Sequence, residues 1–117
     1  MTFESTFITA ILSYDGDPEI APMGEKKIHI TFKNNYRAFD NRLYNLELRW
    51  WLPEGFSLEG GRKSLTLTHK NSHQTASCEL DVTIKAGESV EAMNRCVLEV
   101  VGVGRSVPMY IPVVLLG

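Results

Sequence analysis

The chain has only two cysteines, Cys78 and Cys96, in its 117 residues. They form no CxxC pair, and without a third or fourth cysteine a zinc ribbon is excluded. Basic residues are not in excess: 12 lysines and arginines face 14 aspartates and glutamates, for a net charge of −2. The electrostatic footprint of a nucleic-acid binder is therefore missing. No apolar run approaches the roughly 18 residues of a membrane-spanning helix, so no membrane partner is expected. The opening Met1-Thr2-Phe3-Glu4-Ser5 lacks the basic start and long apolar stretch of a signal peptide. There is no N-x-S/T sequon and no GxSxG nucleophile motif. Nothing in the sequence asks for a cofactor.

What is present is an ordinary globular composition, 44% hydrophobic and 22% charged, unlike that of a disordered chain. A domain of this mass can bury about two thirds of its unfolded surface, enough for a core without staples. Residues 1–117 are expected to form one domain, either free-standing or a piece of a larger protein. The dominant hydrophobic period is two, the signature of strands. Ile8, Ala10, Leu12 and Tyr14 alternate with Thr9, Ile11 and Ser13 before Asp15-Gly16-Asp17-Pro18 breaks the pattern. Ile28, Ile30 and Phe32 alternate with polar partners up to Asn34-Asn35. Leu46, Leu48, Trp50 and Leu52 follow, then a short strand at Leu65 and Leu67, then Cys78 to Ile84. Cys96, Leu98 and Val100 mark a sixth strand and Val107 to Leu116 a seventh. Seven short alternating strands without a convincing helix predict an all-β fold, a seven-stranded antiparallel immunoglobulin-like β-sandwich.

Three segments carry a family resemblance: Lys33-Asn34-Asn35, Leu52-Pro53-Glu54-Gly55-Phe56 and Leu80-Asp81-Val82-Thr83-Ile84. In that order they resemble the NPCBM-associated, alpha-galactosidase-associated β-sandwich modules of bacterial multidomain hydrolases, over about residues 25–115. Phe56 stands where the family pattern has Trp, and the segment from Tyr36 to Tyr44 is longer and more aromatic than a plain turn. The first strand with Tyr14-Asp15-Gly16-Asp17-Pro18-Glu19 also resembles the sandwich tails of bacterial ADP-ribosylglycohydrolase-like enzymes. The resemblance implies a non-catalytic appendage that spaces, docks or helps bind a polymer substrate. The Leu-Pro-Glu-Gly unit has a physical logic of its own. Pro53 offers no N–H to a ladder and ends its strand. Gly55 permits the positive φ needed to cross to the other sheet, and Phe56 and Leu58 can then cap the core.

The reactive side chains fall into no catalytic pattern. His69 and His73 have i, i+4 spacing, but Lys70-Asn71-Ser72 between them reads as loop, so no helix aligns them. His29 lies on the polar phase of its strand. Cys78, conceivable beside His29, sits on the apolar phase and reads as a small buried hydrophobe. Cys78 and Cys96 each begin a strand of an antiparallel succession. About seven residues at ~3.3 Å each then separate them by roughly 20 Å, beyond disulfide reach. Two unpaired thiols fit a reducing compartment or a short-lived export, and with no signal peptide the cytoplasm is the favoured setting. Asp15, Asp17 and Glu19 are a conceivable calcium loop, but the EF-hand pattern is absent and acidic turn residues are common, so a solvated turn is expected. Glu54 and Glu59 are a conceivable carboxylate pair without supporting residues.

The most informative residues are Trp50 and Trp51. Neighbours in a strand point to opposite faces, so Trp50 joins Leu46, Leu48 and Leu52 in the core while Trp51 points outward with Arg49 and Glu47. The adjacent strand offers outward Val97, Val101 and Val103. The last strand is apolar on both phases, with Val107, Met109, Ile111, Val113 and Leu115 on one and Pro108, Tyr110, Pro112, Val114 and Leu116 on the other. An exposed apolar face of this size marks an interaction site. The expected interface is Trp51, Val97, Val101, Val103 and Tyr110, docked on a neighbouring domain of the same polypeptide or on a second copy. The alternative is a carbohydrate platform of Tyr36, Tyr44 and Trp51, which the valine-rich surround disfavours.

Overall fold

A computed structural model describes residues 1–5, 8–34, 44–61, 64–67, 77–102 and 108–117, with the side chain of Tyr44 excepted. Its elements are β1 (Thr2–Glu4), β2 (Ile8–Tyr14), β3 (Glu25–Asn34), β4 (Tyr44–Trp51), β5 (Ser57–Glu59), β6 (Ser64–Leu67), β7 (Ser77–Lys85), β8 (Met93–Gly102) and β9 (Met109–Leu116). They form two antiparallel sheets, β1-β2-β3-β7-β5 and β6-β4-β8-β9. The protein is an all-β sandwich. All seven strands anticipated from the alternation are present. The two additions, β1 and β5, are three residues each, too short to show a period.

The sheets bury one face each, and the buried sets are the apolar phases of the sequence. Ile8, Ala10 and Leu12 on β2, Ile28, Ile30 and Phe32 on β3, and Leu80, Val82 and Ile84 on β7 meet Leu46, Leu48, Leu98, Val100, Ile111 and Val113 of the other sheet. Phe32, the largest fully buried side chain, lies between Ala10 and Cys78 in the cross-strand register. Two small neighbours thus make room for one large ring, as interiors packed to crystal density require. Trp50 packs half-buried against this core, and its Nε1 is the one buried side-chain polar atom among the described residues without a hydrogen-bond partner.

The loops follow local chemistry. Beyond Trp51 the chain turns through Pro53 and Gly55 (φ 83°) and enters the opposite sheet as β5. Phe56 and Leu58 are half-buried against the core at this end. At the start of β8, Asn94 is buried on the inner phase of the strand. Its Nδ2 donates to the carbonyls of Glu91 (2.9 Å) and Leu115 (3.0 Å), and its Oδ1 accepts from the Glu91 N–H (2.9 Å). One side chain therefore satisfies three backbone groups, which is why a polar residue is tolerated there.

The outer edge of β9 is protected. Pro112 has no N–H to offer. The Tyr14 hydroxyl donates to the Val114 carbonyl (3.1 Å), and Leu116 exchanges backbone hydrogen bonds with Pro18 (2.8 Å) and Ile20 (2.9 Å). Burial raises the Tyr14 pKa above its ordinary value, against the smaller pull of this bond. Exposed edges invite pairing with other chains, and these are standard ways to blunt one.

Candidate docking face

The outer side of β4, β8 and β9 is organised in cross-strand rows. Trp51 lies opposite Val97, which lies opposite Pro112. One row away, Arg49 faces Glu99 and Glu99 faces Tyr110. On the other side Arg95 faces Val114, and beyond the Arg49–Glu99 row Glu47 faces Val101. Directly opposed residues in an antiparallel pair have Cβ atoms only about 5 Å apart, so each row is a continuous strip. Trp51 is 44% exposed, Tyr110 56% and Leu116 40%, while Val97, Val101 and Val114 are half-buried by their neighbours.

Arg49 stacks over the Trp51 ring, its guanidinium carbon 4.8 Å from the ring centroid. This cation–π contact covers part of the indole and leaves the apolar strip bordered by charge. Beside the face, Glu47, Arg49, Glu99 and Val101 also line a cleft of about 900 Å³ that reaches Trp50, Leu58 and Gly60.

The outer side of the other sheet is different in kind. Its rows carry Lys33 and Ser77, Thr31 and Glu79, His29 and Asp81, Lys27 and Thr83, and Glu25 and Lys85. Lys85 pairs with Glu59 at 2.8 Å. His29 Nδ1 donates to Asp81 Oδ1 at 2.6 Å, and Nε2 lies 3.5 Å from Glu79. The bond to Asp81 raises the His29 pKa above its ordinary value; partial desolvation opposes this and the charges of Asp81 and Glu79 add to it. One outer surface is thus charged and solvated, the other an apolar strip with a charged border.

Of the interface residues expected from the sequence, Trp51, Val97, Val101 and Tyr110 share this one face, and Val103 lies outside the described residues. Tyr36, His69 and His73 also lie outside them. Tyr44 opens β4 opposite Leu67. Cys78 and His29 do not meet: Cys78 packs on the core, whereas His29 belongs to the solvated face with Asp81. Both cysteines are free, on different sheets, and burial pushes each thiol up to about 11. Glu54 and Glu59 line separate clefts. Asp15, Asp17 and Glu19 are spread along an exposed turn, and no three His, Cys, Asp or Glu side chains among the described residues converge as a metal site. The His29–Asp81 pair was not visible in the sequence, because its partners are 52 residues apart and only strand register joins them.

No family model matches the chain, and no curated protein matches it at a significant level. Among solved structures, a FixG-related protein from Vibrio parahaemolyticus is similar over 96% of this chain and 97% of that one, with a TM-score of 0.68 and 9% sequence identity. At that identity the likeness is one of fold.

Proposed function

We propose that the protein is a non-catalytic accessory module, an immunoglobulin-like sandwich that docks through the outer face of β4, β8 and β9. The observation that carries this reading is the contrast between the two outer faces. A strip built on Trp51, Val97 and Pro112, flanked by Tyr110 and Val114 and bordered by Arg49, Arg95 and Glu99, lies on one sheet, and a surface of lysines, carboxylates and His29 on the other. Interface cores are enriched in aromatic residues and depleted of charge, with polar groups at the rim. Supporting the non-catalytic part, the described thiols, imidazole and carboxylates are held apart or in exposed ion pairs. The resemblance of Leu52-Pro53-Glu54-Gly55-Phe56 to hydrolase-associated modules agrees with an appendage role.

The test is Trp51→Glu. The variant should keep its far-UV dichroism and melting temperature, because the side chain faces outward, and should lose association with a neighbouring domain or a second copy. A variant that unfolds, or that associates like the native chain, removes the reading.

A further inference from the structure

The docking face carries a charge pattern that discriminates among partners. Along the outer phase of β8 the order is Arg95, Val97, Glu99, with Arg95 exposed and Val97 and Glu99 half-buried. Along β8 the signs are opposite at equal distances on either side of Val97, while Arg49 on β4, across from Glu99, is stacked over the Trp51 ring of its own chain. On the neighbouring β9, Tyr110 and Val114 stand at equal distances on either side of Pro112, which is itself opposite Val97. A surface with this antisymmetry is complementary to itself under a two-fold rotation, the symmetry of most homodimers.

We infer that the partner is a second copy of this chain, packed face to face about a two-fold axis that lies across the strands over the Trp51–Val97–Pro112 row. This rests on the docking-face reading and deepens it. The rotation keeps β8 over the second copy's β8 with the strands antiparallel, and it exchanges the rows on either side of the axis. Trp51, Val97 and Pro112 meet their own counterparts. Arg95 comes to lie opposite Glu99 of the second copy, and Glu99 opposite its Arg95. Tyr110 covers Val114 of the second copy, and the reverse. Two sheets packed this way lie about 10 Å apart, a gap that Trp, Tyr and Val side chains fill and that Arg and Glu span. The rows one step from the axis are about 7 Å from it, so the roughly 30° rotation between packed sheets leaves the charge pairs within reach.

Other two-fold arrangements of the same face are disfavoured by the same charges. An axis along β8 sets Arg95 on Arg95 and Glu99 on Glu99. An axis over the Arg49–Glu99–Tyr110 row sets Glu99 on Glu99 and Arg49 on Arg49. Like charges brought together in an interface are costly, so the charge order selects the Val97 row.

The experiment is the solution mass of the full chain by light scattering over a concentration series, for the native protein, Arg95→Glu, Glu99→Arg and the double exchange. The native chain should be in monomer–dimer equilibrium. Each single reversal makes two like-charge contacts by symmetry and should weaken the dimer about tenfold or more, while the double exchange restores it. Melting temperature and far-UV dichroism check that each variant is folded. A dimer that Trp51→Glu weakens but the double exchange does not rescue overturns the Val97 axis. A native chain still monomeric near about 1 mM overturns the second copy and leaves docking to another protein standing. A dimer indifferent to Trp51→Glu overturns both.

Discussion

Gly87 and Gly55 touch backbone to backbone: a Cβ built on Gly87 would lie 2.9 Å from the Gly55 carbonyl oxygen and 3.2 Å from its Cα. This contact closes one end of the sandwich, where the β4–β5 crossover meets the chain leaving β7. The Gly87 carbonyl also accepts from the Met23 N–H at 2.8 Å, so three connections converge there. Gly87→Ala should destabilise the fold by about 1–3 kcal/mol, the usual cost of overpacking. Urea denaturation of the two proteins measures it. An unchanged midpoint would mean that the two loops separate freely.

Asn94→Ala removes the amide that binds two carbonyls and one N–H at the start of β8. The bond to the Leu115 carbonyl is buried, so that acceptor is left without a partner. The expected loss is about 1–3 kcal/mol, read from urea denaturation. Faster hydrogen exchange of the Glu91 amide, whose only described acceptor is the Asn94 side chain, should accompany it.

The His29–Asp81 pair sets a pH dependence of definite sign. The folded pKa is raised from 6.5, so folding is favoured by the protonated ring. The contribution is complete below about pH 6.5 and disappears as pH rises through the higher folded value. The ring is 36% exposed, and solvent screening limits the gain to about 0.2–0.5 kcal/mol. In Asp81→Ala the His29 pKa should fall back toward 6.5 in an NMR titration. The stability lost relative to the native protein should be larger at about pH 5.5 than at about pH 8.5. An unshifted titration would show that Asp81 does not hold the proton.

The guarded edge of β9 gives a paired prediction. Tyr14→Phe removes the hydroxyl on the Val114 carbonyl and should cost about 0.5–1.5 kcal/mol. Pro112→Val places a new N–H on the same edge and should raise concentration-dependent aggregation on heating, followed by light scattering. Equal aggregation of variant and native chains would mean that Pro112 is not what guards this edge.

The alternation of the sequence carried the sandwich because each strand buries one phase, and the phase is written residue by residue. Trp50 inside and Trp51 outside is the clearest case, since a slip of one residue would have reversed them. The doubly apolar pattern of β9 likewise marked the outward apolar strip. What alternation does not encode is register between strands distant in the chain. His29 and Asp81 each read as a polar surface residue, and only the β3–β7 pairing makes them a pair. Asn94 was hidden for another reason: it continues the inner phase of Cys96 and Leu98, yet a polar residue there looks like the end of a strand until its three backbone partners are in place.

The bond from Tyr14 to Val114 spans 100 residues of chain, and the parallel bridge of Glu19 with Leu116 does nearly the same. Early segments thus wait for late ones. Closing such loops costs entropy before any contact repays it, which places this topology among domains that fold in about milliseconds to seconds. On a ribosome, β2 and the turn after it emerge long before β9. Until that strand arrives, the Tyr14 hydroxyl, the Pro18 carbonyl and the Ile20 N–H lack their native partners, and the half-built sheet offers them to any passing strand.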